Sequence, residues 1–246
     1  MKSVDIGNSK GDFIMDTDFD KYAHGYIETI NRVSRITGEK FEYFITLRID
    51  LMKEKVYQKI INLQSLRILD FGCGIGTTEV FLKERFQNAE ICGIDSSQES
   101  IKAAKKQGLK DVNFLTIKSL ILPFEDDYFD LIYSNGTFHH IDHGSHMIIL
   151  TQLCRVLKNG GDLFIFENNP YNPLMMRAMK NNPFDNKAKV VYPKYLKNIL
   201  KNVGFQFNTI NYYFFYPIGL RFLRFTEKYL RKLPLGAQYF VWVTKY

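Results

Sequence analysis

The sequence predicts a doubly wound, Rossmann-like α/β fold, and three observations carry that prediction. An apolar segment beginning at Arg67 leads into a turn with glycines at 72, 74 and 76, and a helical stretch follows from Thr78 to Arg85. A second apolar run ends in Asp95, and the separation between turn and acid is typical of a βαβ unit. Beyond it, strand-like and helical stretches alternate as far as Val243, which indicates a parallel sheet covered by helices.

The glycine turn predicts a ligand that approaches the backbone closely, because glycine leaves room beside the N–H groups at a helix start. The dinucleotide pattern G-x-G-x-x-G fits poorly, since Thr77 stands where its third glycine belongs. Asp70 would repel a pyrophosphate but suits S-adenosylmethionine (SAM), which carries an ammonium and a sulfonium. Asp95 can accept hydrogen bonds from both ribose hydroxyls. We therefore predict SAM as the cofactor.

The turn and three further blocks resemble the class I SAM-dependent methyltransferases that have a D-x-G-C-G-x-G turn. Those blocks are residues 122–134, 138–141 and 154–161, and the resemblance covers about residues 66–207. It implies seven strands with the last antiparallel, helices before the first strand that cap the cofactor, and S-adenosylhomocysteine (SAH) as product. The cofactor contacts that we predict are Asp70, Gly72, Cys73, Gly74, Gly76, Asp95, Ser96, Ser119, Leu120, Asn135 and Tyr22.

The sequence departs from that family at one cofactor contact. The family often has an acidic residue after the third strand for the adenine amino group, and this chain has Lys118-Ser119-Leu120. Ser119 or a backbone carbonyl is the predicted replacement.

The acceptor should lie beyond the fourth strand, where α/β proteins bind ligands at the carboxyl ends of strands. We predict catalytic roles there for His139 and His140, as acid–base or acceptor-positioning groups; structural hydrogen bonding is the other interpretation. A metal held by His143-x-x-His146 is a further alternative, but Phe-His-His-Ile is itself a family pattern and we predict no metal. Predicted substrate contacts are Tyr26, Tyr43, Arg48, Glu167, Asn168, Arg221 and Arg224.

Charge is unevenly distributed along the 246 residues, whose formal net charge is +7. From Lys187 onward there are eleven Lys and Arg residues and a single acid, Glu227. Within this region, residues 217–233 predict a basic amphipathic helix that acts as a lid. Such a surface favours an anionic partner or is merely solvated.

Composition and the chain ends suggest where the protein works. Three widely spaced cysteines predict reduced thiols and not a disulfide framework. We find neither a secretory signal nor a membrane-spanning run. We expect a cytoplasmic protein, with peripheral contact to the inner membrane face as an additional hypothesis. The ending from Leu233 resembles the tail of methyltransferases encoded with bacterial surface-polysaccharide enzymes.

The predicted organisation is a tail with cap helices over residues 1–63 and a SAM-binding domain over 64–246, with insertions at about 170–190 and 217–234. The expected function is methyl transfer to oxygen or nitrogen of a small or glycan-borne, anionic acceptor. The alternatives are a non-catalytic SAM-binding partner, an RNA methyltransferase and an NAD-dependent oxidoreductase. We expect no nucleic-acid partner, because the chain lacks a recognisable RNA-binding module.

Overall fold

The structure, a computed structural model, describes residues 38–57 and 66–246. The first predicted cap helix, Asp20–Thr37, lies outside the described residues, and so do Tyr22 and Tyr26 within it. The second cap helix is present as α1, Phe41–Val56.

Seven strands form one sheet in the order β3-β2-β1-β4-β5-β7-β6. The first five are parallel, and β7 runs antiparallel to both β5 and β6, so the predicted fold class is confirmed. The strands are β1 Arg67–Phe71, β2 Glu90–Asp95, β3 Val112–Thr116, β4 Phe129–Asn135, β5 Leu157–Asn168, β6 Phe205–Tyr213 and β7 Gln238–Lys245.

Six further α-helices follow α1 among the described residues. They are α2 Thr77–Arg85, α3 Gln98–Lys105, α4 His143–Val156, α5 Pro173–Lys180, α6 Pro193–Val203 and α7 Glu227–Leu230. Within residues 38–57 and 66–246, three 3-10 helices occupy Phe138–His140, Pro183–Asp185 and Ile218–Thr226. None of the helices in the described ranges is long and apolar enough to cross a membrane.

Both faces of the sheet are buried, as expected for parallel strands between helices. Neighbouring residues of β1 show the alternation: Ile68 packs in the cluster with α1 and α2, whereas Leu69 packs in the cluster with α4 and α6. This double cover leaves the carboxyl ends of β1 and β4 as the place where a ligand can approach the sheet.

Several elements differ from the sequence-based prediction at their ends. The sequence pattern predicts a helix over Met147–Leu157, but α4 begins at His143, because the Asp142 side chain caps it by accepting a hydrogen bond from the Gly144 N–H (2.9 Å). The pattern also predicts a strand over Asp162–Phe166, but β5 begins at Leu157, because Leu157 already pairs with Phe129. The insertion at 170–190 contains α5 and one 3-10 turn.

The predicted amphipathic helix at 217–233 is wrong in its form. The chain makes a 3-10 helix and then a single short α-helix, and neither buries a residue. Leu220 and Leu223 are three residues apart, a spacing that aligns side chains on a 3-10 helix as well as on an α-helix.

Candidate active site

The glycine turn after β1 is fixed by hydrogen bonds to the end of β2. The N–H groups of Gly72 and Cys73 both donate to the Ile94 carbonyl (2.8 and 3.0 Å). Asp95 accepts from the Gly74 N–H through Oδ2 (2.9 Å) and from the Ser97 N–H through Oδ1 (2.8 Å). Asp95, one of the two acids predicted from sequence, therefore joins the glycine turn to the loop that follows β2.

Asp70 lies within β1 beside a second carboxyl group that sequence reasoning missed. Both Asp70 and Glu79, the latter in the first turn of α2, are buried. Burial and the neighbouring Asp95 raise the pKa of Asp70 to about 8, although Arg48 opposes the shift. Burial and Asp70 raise the pKa of Glu79 well above its usual range. A cationic ligand group beside Asp70 would favour its ionised form.

Arg48 of α1, a predicted substrate contact, lies beneath the cap and not on an open surface. Only 3% of the residue is exposed. Its Nε donates to the Tyr133 hydroxyl (3.2 Å) and its guanidinium also donates to Gln238 Oε1 (3.4 Å). Both partners are neutral. The positive charge of Arg48 acts on Asp70 of β1, whose pKa it lowers.

The loop after β4 is held against the glycine turn by two hydroxyl groups. Ser134 and Thr137 both donate to the Phe71 carbonyl (2.9 and 3.1 Å). Asn135, a predicted cofactor contact, is the last residue of β4 and sits at this junction.

His139 and His140 follow on the 3-10 turn, and their surroundings differ. His139 is buried, and its Nδ1 lies 2.5 Å from Glu167 Oε2. The other Glu167 oxygen accepts from the Phe138 N–H (3.0 Å). Glu167 was predicted to touch the substrate, but in the structure both its oxygens face protein donors. It therefore supports His139.

A third side chain, Asp185, joins the two histidines. Its Oδ1 lies 3.5 Å from His139 Nε2 and 3.6 Å from His140 Nε2. Burial alone would lower the pKa of His139, but Glu167 and Asp185 outweigh it and raise that pKa to about 10. Burial and the neighbouring His139 lower the pKa of His140 to about 3. Asp185 was missed because nothing in Asn-Pro-Phe-Asp shows that the segment returns to β4.

His146 has a structural role that disfavours the His143-x-x-His146 metal alternative. Its Nε2 lies 2.9 Å from the Phe138 carbonyl and its Nδ1 lies 3.1 Å from the Tyr195 hydroxyl. With Nε2–H donating and Nδ1 accepting, both ring nitrogens are used.

Three of the remaining predicted substrate contacts, Tyr43, Arg221 and Arg224, lie in the predicted lid or against it, and the fourth, Asn168, lies at the end of β5. Arg224 pairs with Glu39 (2.7 Å), donates to the Tyr216 carbonyl and lies 4.7 Å over the Tyr43 ring. Arg221 is exposed. Asn168 ends β5 and accepts from Gln238 Nε2 (3.0 Å).

The other predicted cofactor contacts lie at the ends of β2 and β3. Ser96 follows Asp95 directly, and Ser97 caps α3 by accepting from the Ser100 N–H (3.1 Å). Beyond β3, Ser119 Oγ accepts from the Ile121 N–H (3.1 Å) and Leu120 packs against the core.

Comparison with known proteins shows which proteins this chain resembles. Residues 68–161 match a family model described as a methyltransferase domain. A demethylmenaquinone methyltransferase of Thermotoga maritima is 32% identical over 120 residues, 49% of this chain and 51% of that protein. A demethylmenaquinone methyltransferase of Lactococcus lactis is 26% identical over 161 residues, 63% of this chain and 58% of that protein. The chain thus spans about half the length of these curated relatives.

A solved structure extends the likeness in fold to nearly the whole chain. The putative methyltransferase of Haloferax volcanii, in complex with its Trm112 activator, superposes with a TM-score of 0.66 at 17% identity, over 93% of this chain and 98% of that one. The family match covers the glycine turn, both acids and the strand that leads to the histidines, so this part of the chain is similar to a methyltransferase domain.

Proposed function

We propose that this protein transfers a methyl group from SAM to an oxygen or nitrogen of a small or glycan-borne, anionic acceptor. The observation that carries the proposal is the glycine turn tied to Asp95 beside buried Asp70. A glycine turn that leaves room for a ligand, a carboxylate for the ribose and an acid for the methionine ammonium converge there. Ser96, Ser119, Leu120 and Asn135 extend the cofactor site along the carboxyl ends of β2, β3 and β4.

The reaction is an in-line displacement at the methyl carbon. The acceptor's nucleophile forms the new bond while the C–S bond breaks, and sulfur takes the electron pair and loses its positive charge. Because charge is dispersed as the transition state forms, strong oxyanion stabilisation is not needed. Alignment of the nucleophile with the methyl group and exclusion of water supply most of the rate.

His139 and His140 belong to the acceptor side of this proposal. Their turn follows β4, next to the glycine turn to which Thr137 is bonded. Glu167 fixes the orientation of His139, and His140 keeps 19% of its side chain exposed. We assign both residues to the positioning and activation of the acceptor.

The proposed anionic acceptor rests on the basic character of the chain after Lys187. Two cations of this region already have acidic partners within the protein: Arg224 pairs with Glu39 and Arg231 pairs with Glu54 (2.9 Å). The exposed cations of the lid are Arg221, Lys228 and Lys232, and Lys232 donates to the Thr209 hydroxyl. A phosphorylated sugar or a surface-polysaccharide precursor has oxygens that suit them. A cytoplasmic enzyme that contacts the inner membrane face would meet such a precursor.

Calorimetry with SAM, SAH and NAD on the purified protein tests the cofactor. We expect SAM and SAH to bind at one site per chain and NAD not to bind. Labelled SAM incubated with host extract then tests transfer, and mass spectrometry of the labelled product identifies the acceptor. Binding of SAM without any labelled product across a broad panel of acceptors would favour a non-catalytic SAM-binding protein. Binding of NAD instead of SAM would overturn the proposal.

A further inference from the structure

The cluster of His139, His140 and Asp185 has the arrangement of a metal site, in a place that the sequence did not predict. One ligand atom from each side chain lies within 4.8 Å of the others. The Asp185 oxygen is 3.5 and 3.6 Å from the two Nε2 atoms, longer than the usual hydrogen bond of about 2.7–3.2 Å. Zinc bonds of about 2.0–2.1 Å in tetrahedral geometry place ligand atoms roughly 3.3 Å apart, and both distances from the Asp185 oxygen are close to that value.

The groups behind these ligands hold them as the outer shell of a metal centre does. Glu167 lies 2.5 Å from His139 Nδ1, which leaves Nε2 as the coordinating nitrogen. The Asn182 amide donates to Asp185 Oδ2 (2.9 Å), which leaves Oδ1 directed at the histidines. A carboxylate behind a ligating histidine and a hydrogen bond to a ligating carboxylate are the usual partners of such ligands.

The segment that carries Asp185 is built to return to the histidines. Asn182 caps the 3-10 turn by accepting from the Phe184 N–H (3.2 Å), and Phe184 is buried. Four residues after Asp185, the Lys189 N–H donates to the His139 carbonyl (2.7 Å). Asp185 is therefore fixed from both sides against the turn that it faces.

We propose that His139, His140 and Asp185 bind one Zn²⁺ ion through the two Nε2 atoms and a carboxylate oxygen, with the fourth position open to the acceptor. Two imidazoles and one carboxylate suit zinc and its transition-metal neighbours and do not suit Mg²⁺, which prefers oxygen ligands. Three protein ligands with an open position are the pattern of catalytic zinc.

This site would give the two histidines one shared role in the proposed function. An acceptor hydroxyl that binds the ion loses its proton to solvent more readily. Its oxygen then forms the O–CH₃ bond while the C–S bond breaks and sulfur takes the electron pair. The catalytic half of this inference rests on the proposed function, but metal binding itself does not.

The competing interpretation is an ion pair in which a protonated His139 bridges Glu167 and Asp185. Zinc titration by calorimetry distinguishes the two, using untagged full-length protein stripped with chelator. We expect one ion per chain and, with Co²⁺ as probe, the intense visible absorption of a tetrahedral site. Asp185→Ala and His140→Asn should each weaken zinc binding at least 100-fold, and Glu167→Gln roughly 10–100-fold.

Asp142→Asn is the matched control, because this exposed carboxylate pairs with Lys189 (2.6 Å) close to the site; its zinc affinity should equal wild type. Circular dichroism confirms folding, and SAM calorimetry on the same samples separates loss of the metal from loss of the cofactor site. His140→Asn is a milder change than Asp185→Ala, because His140 is more exposed than Asp185. If wild-type protein binds zinc no better than His140→Asn, the proposed zinc site is wrong, even if SAM binds normally.

Discussion

The two halves of the proposed active site, one for the cofactor and one for the acceptor, are built on different principles. The cofactor half, Asp70–Gly76 with Asp95–Ser97, is held by backbone N–H groups that donate to Ile94 and Asp95. The acceptor half, residues 135–140 with Glu167 and Asp185, is held by side chains from three separate segments. The first half therefore depends on backbone conformation and the second on where the topology brings side chains together. The two meet where Ser134 and Thr137 donate to the Phe71 carbonyl.

The largest effect should come from the point where the halves meet. Gly72 has φ +85°. A Cβ added at Gly72 would lie 2.6 Å from Cγ2 of Thr137 and would overlap that side chain. Left-handed backbone alone costs about 1–3 kcal/mol for other residues. We expect Gly72→Ala to lose more stability than that and to lose SAM binding, as measured by urea denaturation and calorimetry.

Gly108→Ala is the control for backbone strain. Gly108 has φ +62° with open space around its Cβ direction. The difference in unfolding free energy between the two alanine variants isolates the clash with Thr137, and Thr137→Ala should restore part of it in Gly72→Ala. Equal stability of the two variants would show that the halves are not tightly joined here.

The next effect concerns the cofactor half alone. Asp95→Ala removes the acceptor of the Gly74 and Ser97 N–H groups and the predicted ribose contact. Calorimetry should show SAM affinity weaker by about 1.5–3 kcal/mol, the range for hydrogen bonds to charged groups. Asp95→Asn, which keeps one acceptor oxygen, should lose less. Unchanged affinity in Asp95→Ala would remove Asp95 from the cofactor site.

A smaller effect follows from the pKa of Asp70, raised to about 8 by burial and Asp95. Below that pH the empty site holds a neutral carboxyl, whereas the methionine ammonium favours the carboxylate, so binding releases a proton. SAM affinity should therefore rise with pH between 5.5 and 7, by up to about tenfold per pH unit. In Asp70→Asn the rise should be much flatter. An unchanged slope would assign the proton to another group, such as Glu79.

The smallest effect is expected at the lid, where solvent screens the charges. The double variant Arg221→Glu, Lys228→Glu should raise the acceptor KM by about fivefold per site at most, less at high salt, with SAM binding unchanged. Arg224 is avoided because its loss would also remove its ion pair with Glu39. Lys106→Glu, Lys110→Glu makes the same charge change on exposed residues near the β3 edge and should leave KM alone. If both pairs behave alike, the lid charges are only solvated.

The difference between the two halves also explains which features could be predicted from the sequence. The turn, Asp70 and Asp95 lie in one continuous stretch with fixed spacing, so the βαβ unit and the predicted cofactor contacts were accessible from residue patterns. Asp185 lies 45 residues after His140 and approaches it only because Asn182 and Lys189 fix the connecting segment. Glu79 was missed because an acid in the first turn of a helix is ordinarily an exposed partner of the helix dipole. The continuous helix predicted at 217–233 was wrong, and the sequence also did not show that Arg224 and Arg231 pair with Glu39 and Glu54.

The segment between β5 and α6 that carries Asp185 is attached at both ends to the same part of the sheet. At one end the Asn169 amide donates to the Gly236 carbonyl (2.7 Å), and at the other the Tyr239 hydroxyl donates to the Val191 carbonyl (2.8 Å). A loop with fixed ends can be replaced by another of different length and chemistry without disturbing the strands. We therefore expect that replacing residues 170–190 would change what surrounds His139 and His140 and would leave the glycine turn and Asp95 in place.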